Sequence, residues 1–130
     1  MEQEVTRSKR GRKKKISVSP EGMEENLKKG VAEMLVLFLL KEREMYVNEL
    51  TEELENRSDG RLHITFPYAI IYRLLDTHYI ELGEKRLAPD GRRRQYYRTT
   101  TTGGAYLEEL QATMRKFMGG VEQILRSGEK

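Results

Sequence analysis

The turn Ala88-Pro89-Asp90-Gly91 is a hairpin signal in a chain whose other apolar residues recur mainly at helical spacing. Proline presets one turn dihedral and glycine accepts positive φ. The flanking runs, Ile80 to Leu87 and Arg92 to Thr99, have the β-branched and aromatic content of strands. One hairpin among several amphipathic helices, in 130 residues, predicts a single mainly α-helical domain with a small β-hairpin.

Helical periodicity begins at Met23. Leu27, Val31, Met34, Leu35, Phe38 and Leu39 form one stripe, and Val36, Leu37 and Leu40 widen it, which predicts burial against both the domain itself and a second subunit. A second helix is expected from Tyr46 to Asn56, with Leu50 and Leu54 inward and Glu49, Glu52, Glu53 and Glu55 in water. Leu62-His63-Ile64 reads as a short strand or an extended link. A third helix starts near Phe66, with Thr65 as N-cap and Pro67 in the first turn, where its missing N–H had no intrahelical partner. Ile70, Ile71, Leu74 and Leu75 are its buried side. Tyr68, Ala69, Tyr72, Arg73 and Asp76 face outward or sideways. The chain closes with a helix from Thr102 to Leu125, with a kink or weak point at Gly119-Gly120.

Charge is divided unevenly. The formal net charge is +3, but residues 1–15 alone carry seven Lys/Arg against two Glu, leaving −2 for the rest. Residues 1–22 lack apolar periodicity and read as a disordered basic arm and linker, in which Arg10, Arg12, Lys13, Lys14 and Lys15 either bind nucleic acid non-specifically or only solubilise. A second basic concentration lies on the hairpin, where Lys85 to Arg98 holds six basic residues against Asp90. A basic strip on a nearly neutral body suits phosphate binding, because each neutralised phosphate releases condensed counterions.

Several classes are disfavoured. With no cysteine there are no disulfides, thiolate metal sites or cysteine nucleophiles. His63 and His78 lack paired spacing and have no phosphate-binding glycine loop nearby, so no catalytic residue, metal or cofactor is expected. The apolar run from Val31 to Leu40, broken by Glu33, falls well short of the roughly 20 residues of a membrane span, and no secretion signal is evident. A cytoplasmic protein without membrane contact is expected.

Helix, helix, helix, basic hairpin and long amphipathic helix is the order of a winged helix-turn-helix with an added dimerisation helix. Residues 23–100 would form the DNA-binding domain and residues 101–130 the C-terminal dimerisation helix. The third helix would enter the major groove of double-stranded DNA and the wing would reach the flanking backbone. Thr65, Tyr68, Ala69, Tyr72 and Arg73 are the candidate reading residues. Arg92, Arg93 and Arg94, with Tyr96, are the candidate wing contacts. Tyr96 and Tyr97 alternate along a strand, so one should pack inside and the other face out. For Tyr68 and Tyr72 packing against the hairpin is the alternative, and for Arg73 a salt bridge to Asp76. Leu107, Leu110, Met114, Phe117, Val121 and Leu125 are too many apolar positions for so small a domain to cover, which predicts a homodimer. Met34, Phe38 and Phe117 either line a pocket for a small-molecule effector or are ordinary core. His78, ending the third helix, is a candidate partner for its dipole.

Two stretches carry a family resemblance. LKKGVAEMLVLFLLKEREMYVNELTEEL, from residue 27, resembles the opening of the PadR family of winged helix-turn-helix regulators: a Leu-Lys-Lys-Gly lead-in, an apolar helix and a Tyr-containing helix start. DGRRRQYYRTTTTGGAYLEEL, from residue 90, resembles that family's wing and its exit. The resemblance places Gly91, Arg92, Arg94, Tyr96, Tyr97 and Arg98 at the family's wing positions and Gly103 at its helix-leading glycine. It implies a homodimeric DNA-binding regulator, usually a repressor, whose affinity changes with a small ligand or other signal. The chain departs from the family at Phe66-Pro67-Tyr68, shifted from the usual Tyr-Pro register, and at Val47 and Tyr79, where glycine is usual. Two other readings stay open: a sequence-tolerant architectural DNA-binding protein, and a winged-helix protein-interaction module.

Overall fold

The structure is a computed structural model that describes residues 18–129. Its elements run α1 (Pro20–Glu42), α2 (Val47–Arg57), α3 (Pro67–Asp76), β1 (Ile80–Leu87), β2 (Arg93–Thr99) and α4 (Thr101–Ser127). The expected winged helix-turn-helix with a long closing helix is the observed fold. The chain divides into two compact units with the boundary inside α1, between Val31 and Ala32.

In the first unit α1 begins at Pro20, three residues before the expected start at Met23. Ser19 explains this, because its Oγ accepts from Gly22 N at 3.0 Å, capping a helix whose first residue is a proline. Lys28 pairs with Glu25 one turn earlier at 3.0 Å, and Met23 and Leu27 are exposed.

In the second unit Leu37 and Leu40 of α1, Leu50 of α2, Ile71 and Leu74 of α3, and Ile80 of β1 are fully buried, together with Met45 from the α1–α2 turn. Each such burial stabilises the fold by about 1.5–3 kcal/mol. The most deeply buried part of α1 is therefore Val36, Leu37 and Leu40, which had seemed only to widen the stripe, while Phe38 is exposed. Glu49, expected in water, is half-buried and accepts from Arg43 at 2.9 Å.

The segment after α2 is an extended link rather than a strand. Thr65 does not cap α3. With Pro67 as the first helical residue the cap position is Phe66, which has no side-chain oxygen to offer, and Thr65 lies one residue too early. Backbone bonds close α3 instead: Tyr79 N donates to Leu74 O and His78 N to Leu75 O, both at 3.0 Å, with His78 at φ 64°. His78 thus ends the helix through its backbone conformation.

β1 and β2 pair antiparallel, Ile80 opposite Thr99 and Leu87 opposite Arg93, with an irregularity between Leu82 and Lys85. Gly91 turns the tip at φ 86°. Met45 extends the hairpin by bridging to Tyr97, its N donating to Tyr97 O at 3.2 Å and its O accepting from Tyr97 N at 3.0 Å. Thr100 then caps α4, its Oγ1 accepting from Gly103 N at 2.9 Å. Gly103 is required there because a Cβ would lie 1.9 Å from the Tyr79 carbonyl oxygen. Tyr79, on the position where the family usually has glycine, stacks on Tyr106 with ring centroids 4.2 Å apart. The helix continues unbroken through Gly119-Gly120, where a kink or weak point was expected.

Candidate nucleic-acid interface

One face of α3 and the hairpin tip carry the exposed groups that could meet DNA. On α3 and its lead-in, Thr65, Tyr68, Ala69, Tyr72 and Arg73 are all exposed, and Tyr68 and Tyr72 lie one turn apart with ring centroids at 5.8 Å. Phe66, 77% exposed, joins this face. Its signal in the sequence is a large aromatic just outside the apolar period of the helix. Arg73 is paired with Glu33 of α1 rather than with Asp76. Glu33 lies 40 positions earlier, so the partner could not be found from helical spacing.

The three consecutive arginines have different environments. Among the described residues the Arg92 side chain makes no ion pair, while its backbone N donates to Asp90 Oδ1 at 3.1 Å. The Arg93 guanidinium donates to the Lys85 carbonyl at 3.0 Å and stays exposed. Arg94 is half-buried, donating to Asp90 Oδ2 at 2.6 Å and lying 5.6 Å from the centroid of Tyr46. The Arg94 guanidinium, followed by the Arg92 amide, holds the Asp90 carboxyl below the usual range. Asp90 thereby offsets one of the positive charges at the tip.

Tyr96 is 5% exposed and does not belong to the contact surface. Its ring lies under the Arg86 guanidinium at 3.6 Å and edge-on to Tyr46 at 5.4 Å. Tyr97 is buried as well, so the expected one-in, one-out alternation fails. The core takes Tyr97, while Arg86 and Tyr46 cover the other face of the strand. Burial raises the Tyr97 hydroxyl above its ordinary range.

Of the six apolar residues singled out on the closing helix, Leu107 is 2% exposed and packs in its own domain, a correction to its expected place at a dimer interface. Leu110, Met114 and Val121 are half-buried, whereas Phe117 is 67% and Leu125 is 61% exposed. Ile124, not singled out from the sequence, continues the same stripe. Of the three residues considered for a ligand pocket, Phe38 lines a cleft of about 180 Å³ between α1 and α2, with Leu35, Leu39, Leu54 and Leu62, which neither Met34 nor Phe117 lines. Met34 is buried and Phe117 is exposed elsewhere, so the expected three do not converge there. Arg10, Arg12, Lys13, Lys14 and Lys15 lie outside the described residues. Among the described residues no cluster of His, Asp and Glu could hold a metal, and no helix is long and apolar enough to cross a membrane.

Comparison with known proteins agrees with this geometry. The model of the transcriptional regulator PadR-like family matches residues 36–109, more than half of the chain. A curated relative, an uncharacterised protein of Lysinibacillus sphaericus, is 33% identical over 84 residues, covering 63% of this chain and 76% of that protein. Among solved structures, a PadR-like transcriptional regulator from Bacillus cereus shares 25% identity with a TM-score of 0.66, covering 77% of this chain and 96% of that one. A PadR family transcriptional regulator from Eggerthella lenta shares 27% identity at the same TM-score, covering 79% and 88%. With the winged fold, the exposed face of α3 and the basic hairpin already established, the chain belongs to the PadR-like family of DNA-binding transcriptional regulators.

Proposed function

We propose that the protein is a homodimeric repressor that sets α3 in the major groove and its wing on the flanking phosphates of a palindromic operator. The observation that carries this reading is the joint exposure of Tyr68, Ala69 and Tyr72 on α3 and of Arg92 and Arg93 at the wing tip. Ala69 allows close approach to a base edge. Tyr68 and Tyr72 offer flat apolar surface to thymine methyls and hydroxyls to phosphates. Thr65 leads into the groove, and Arg73 joins by exchanging Glu33 for a phosphate. Arg94 serves the wing by bracing its tip through Asp90. The basic residues at positions 10–15 add sequence-independent affinity, and the protein works in the cytoplasm.

The stripe of half-buried Met114 and Val121 with exposed Phe117, Ile124 and Leu125 supports pairing with a second copy, because it presents apolar surface over several turns. A two-fold dimer would hold its recognition helices about 34 Å apart, one DNA turn. Occupation of the cleft beside Phe38 by a small apolar molecule would bias the packing of α1 against α2, and so the spacing of those helices. Selection from random duplexes followed by footprinting tests the central claim. Two inverted half-sites one turn apart are expected. Equal competition by selected and random duplex at physiological salt would sink the repressor and favour an architectural DNA-binding protein.

A further inference from the structure

Four of the six basic residues of the wing form two pairs with different surroundings. At the tip, Arg92 is unpaired among the described residues and Arg93 reaches only a backbone carbonyl. At the base, Arg86 and Arg98 converge on Glu44, which lies in the turn between α1 and α2 and on neither strand. Arg86 donates to Glu44 Oε1 at 3.1 Å and Arg98 to Oε2 at 2.9 Å, so both oxygens of one carboxylate are engaged, one by each strand. Arg98 also donates to Glu81 at 2.8 Å, and Arg86 covers Tyr96.

The backbone makes room for this carboxylate. A Cβ on Gly83, within the irregular stretch of β1, would stand 2.6 Å from Glu44 Oε1, so the absence of a side chain there lets the carboxylate settle against the strand. Beside it, Met45 carries the backbone bridge to Tyr97. Consecutive residues of a helix-connecting turn thus grip the hairpin, Glu44 through its side chain and Met45 through its main chain. The two arginine hydrogen bonds, Arg86 first, hold the Glu44 carboxyl below its ordinary range.

We infer that Glu44 is a positioning residue for DNA recognition: it fixes the base of the wing relative to the helix-turn-helix and withholds Arg86 and Arg98 from DNA. This rests on the reading that the wing meets the DNA backbone. Held in place, the wing can touch phosphates only where α3 is in register with its bases. Released, the wing swings, and Arg86 and Arg98, left with only the exposed Glu84 and Glu81, are offered to any duplex. The chain therefore keeps sequence-independent attraction low by neutralising those arginines internally, which favours the specific complex relative to the rest of the DNA.

The test is Glu44→Gln, measured by fluorescence anisotropy across a salt series. The probes are a duplex recovered by selection and a shuffled duplex of the same length. Binding to the shuffled duplex should strengthen, the ratio of selected to shuffled affinity should fall about tenfold, and the salt slope should steepen by about 1–2. Equal changes on both duplexes with an unchanged slope would overturn the inference, since that is the signature of altered folding alone. If Glu44→Gln does not fold, Gly83→Ala decides, because it displaces the carboxylate and leaves the net charge intact. A reduced ratio supports the clamp and a ratio like that of the parent overturns it. Arg92→Ala separates the two claims. If it leaves binding to both probes unchanged, the wing reading falls and the clamp with it. If it weakens binding while Glu44→Gln changes nothing, the clamp alone falls.

Discussion

The first two turns of α4 and its last four belong to one helix and share one apolar period, yet they have opposite surroundings. Gly103, Gly104 and Leu107 are buried against their own domain, with Thr100 capping the helix and Gly103 pressed on the Tyr79 carbonyl. From Met114 onward no side chain of the helix is buried, and Phe117, Ile124 and Leu125 are mostly exposed. The difference teaches that amphipathic spacing specifies a face to be covered but not what covers it. At the front the cover is β2, Tyr79 and the end of α1 at Lys41; at the rear the described residues supply none, and a second copy is the proposed cover.

Substitutions at the two ends should therefore fail in different ways. The largest effect is expected from Phe117→Asp combined with Ile124→Asp, which should convert a dimer into a single chain of 15.2 kDa by light scattering. Affinity for a two-half-site duplex should drop about 100-fold or more as the second contact ceases to be intramolecular. A parent protein that already scatters as one chain would break the comparison at its rear half. Leu107→Ala should instead destabilise each protomer by about 2–5 kcal/mol in urea titration, through lost burial and a residual cavity. If Leu107→Ala shifted the oligomeric state and left unfolding unchanged, the front half would have been misassigned. The smallest effect belongs to Thr100→Ala, about 1 kcal/mol from loss of the helix cap, with no change in mass.

The fold was legible to different depths along the chain. Ile80 to Leu87 could be read to the residue because Pro89, Asp90 and Gly91 announce their turn by local dihedral preference. The helices could be read because their buried residues recur with the helical period, although Ser19 starts α1 earlier than hydrophobicity suggests. The interface was less legible. Tyr96 looked like a contact because strand alternation ordinarily exposes every second residue, and nothing local reveals that Arg86 folds over it. Helical spacing offers Arg73 only DNA or Asp76, whereas its partner Glu33 is remote in sequence. Phe66 stands just before the apolar period of α3 and carries no periodic signal, whereas Ile124 falls on the period of α4 three residues after Val121 and is masked by its neighbour Leu125.

By itself the sequence determined the order of elements, the hairpin turn, the apolar faces and the basic strip, since each follows from preferences acting over a few residues. Tertiary structure decided what each face meets and which charges remain free. Leu107 and Phe117 carry the same helical signal and differ only in what lies opposite them. Arg86, Arg92 and Arg98 carry the same charge and differ only in whether a carboxylate from another element has reached them. Burial and ion pairing depend on groups brought together from distant positions, and no local pattern in the chain records those meetings.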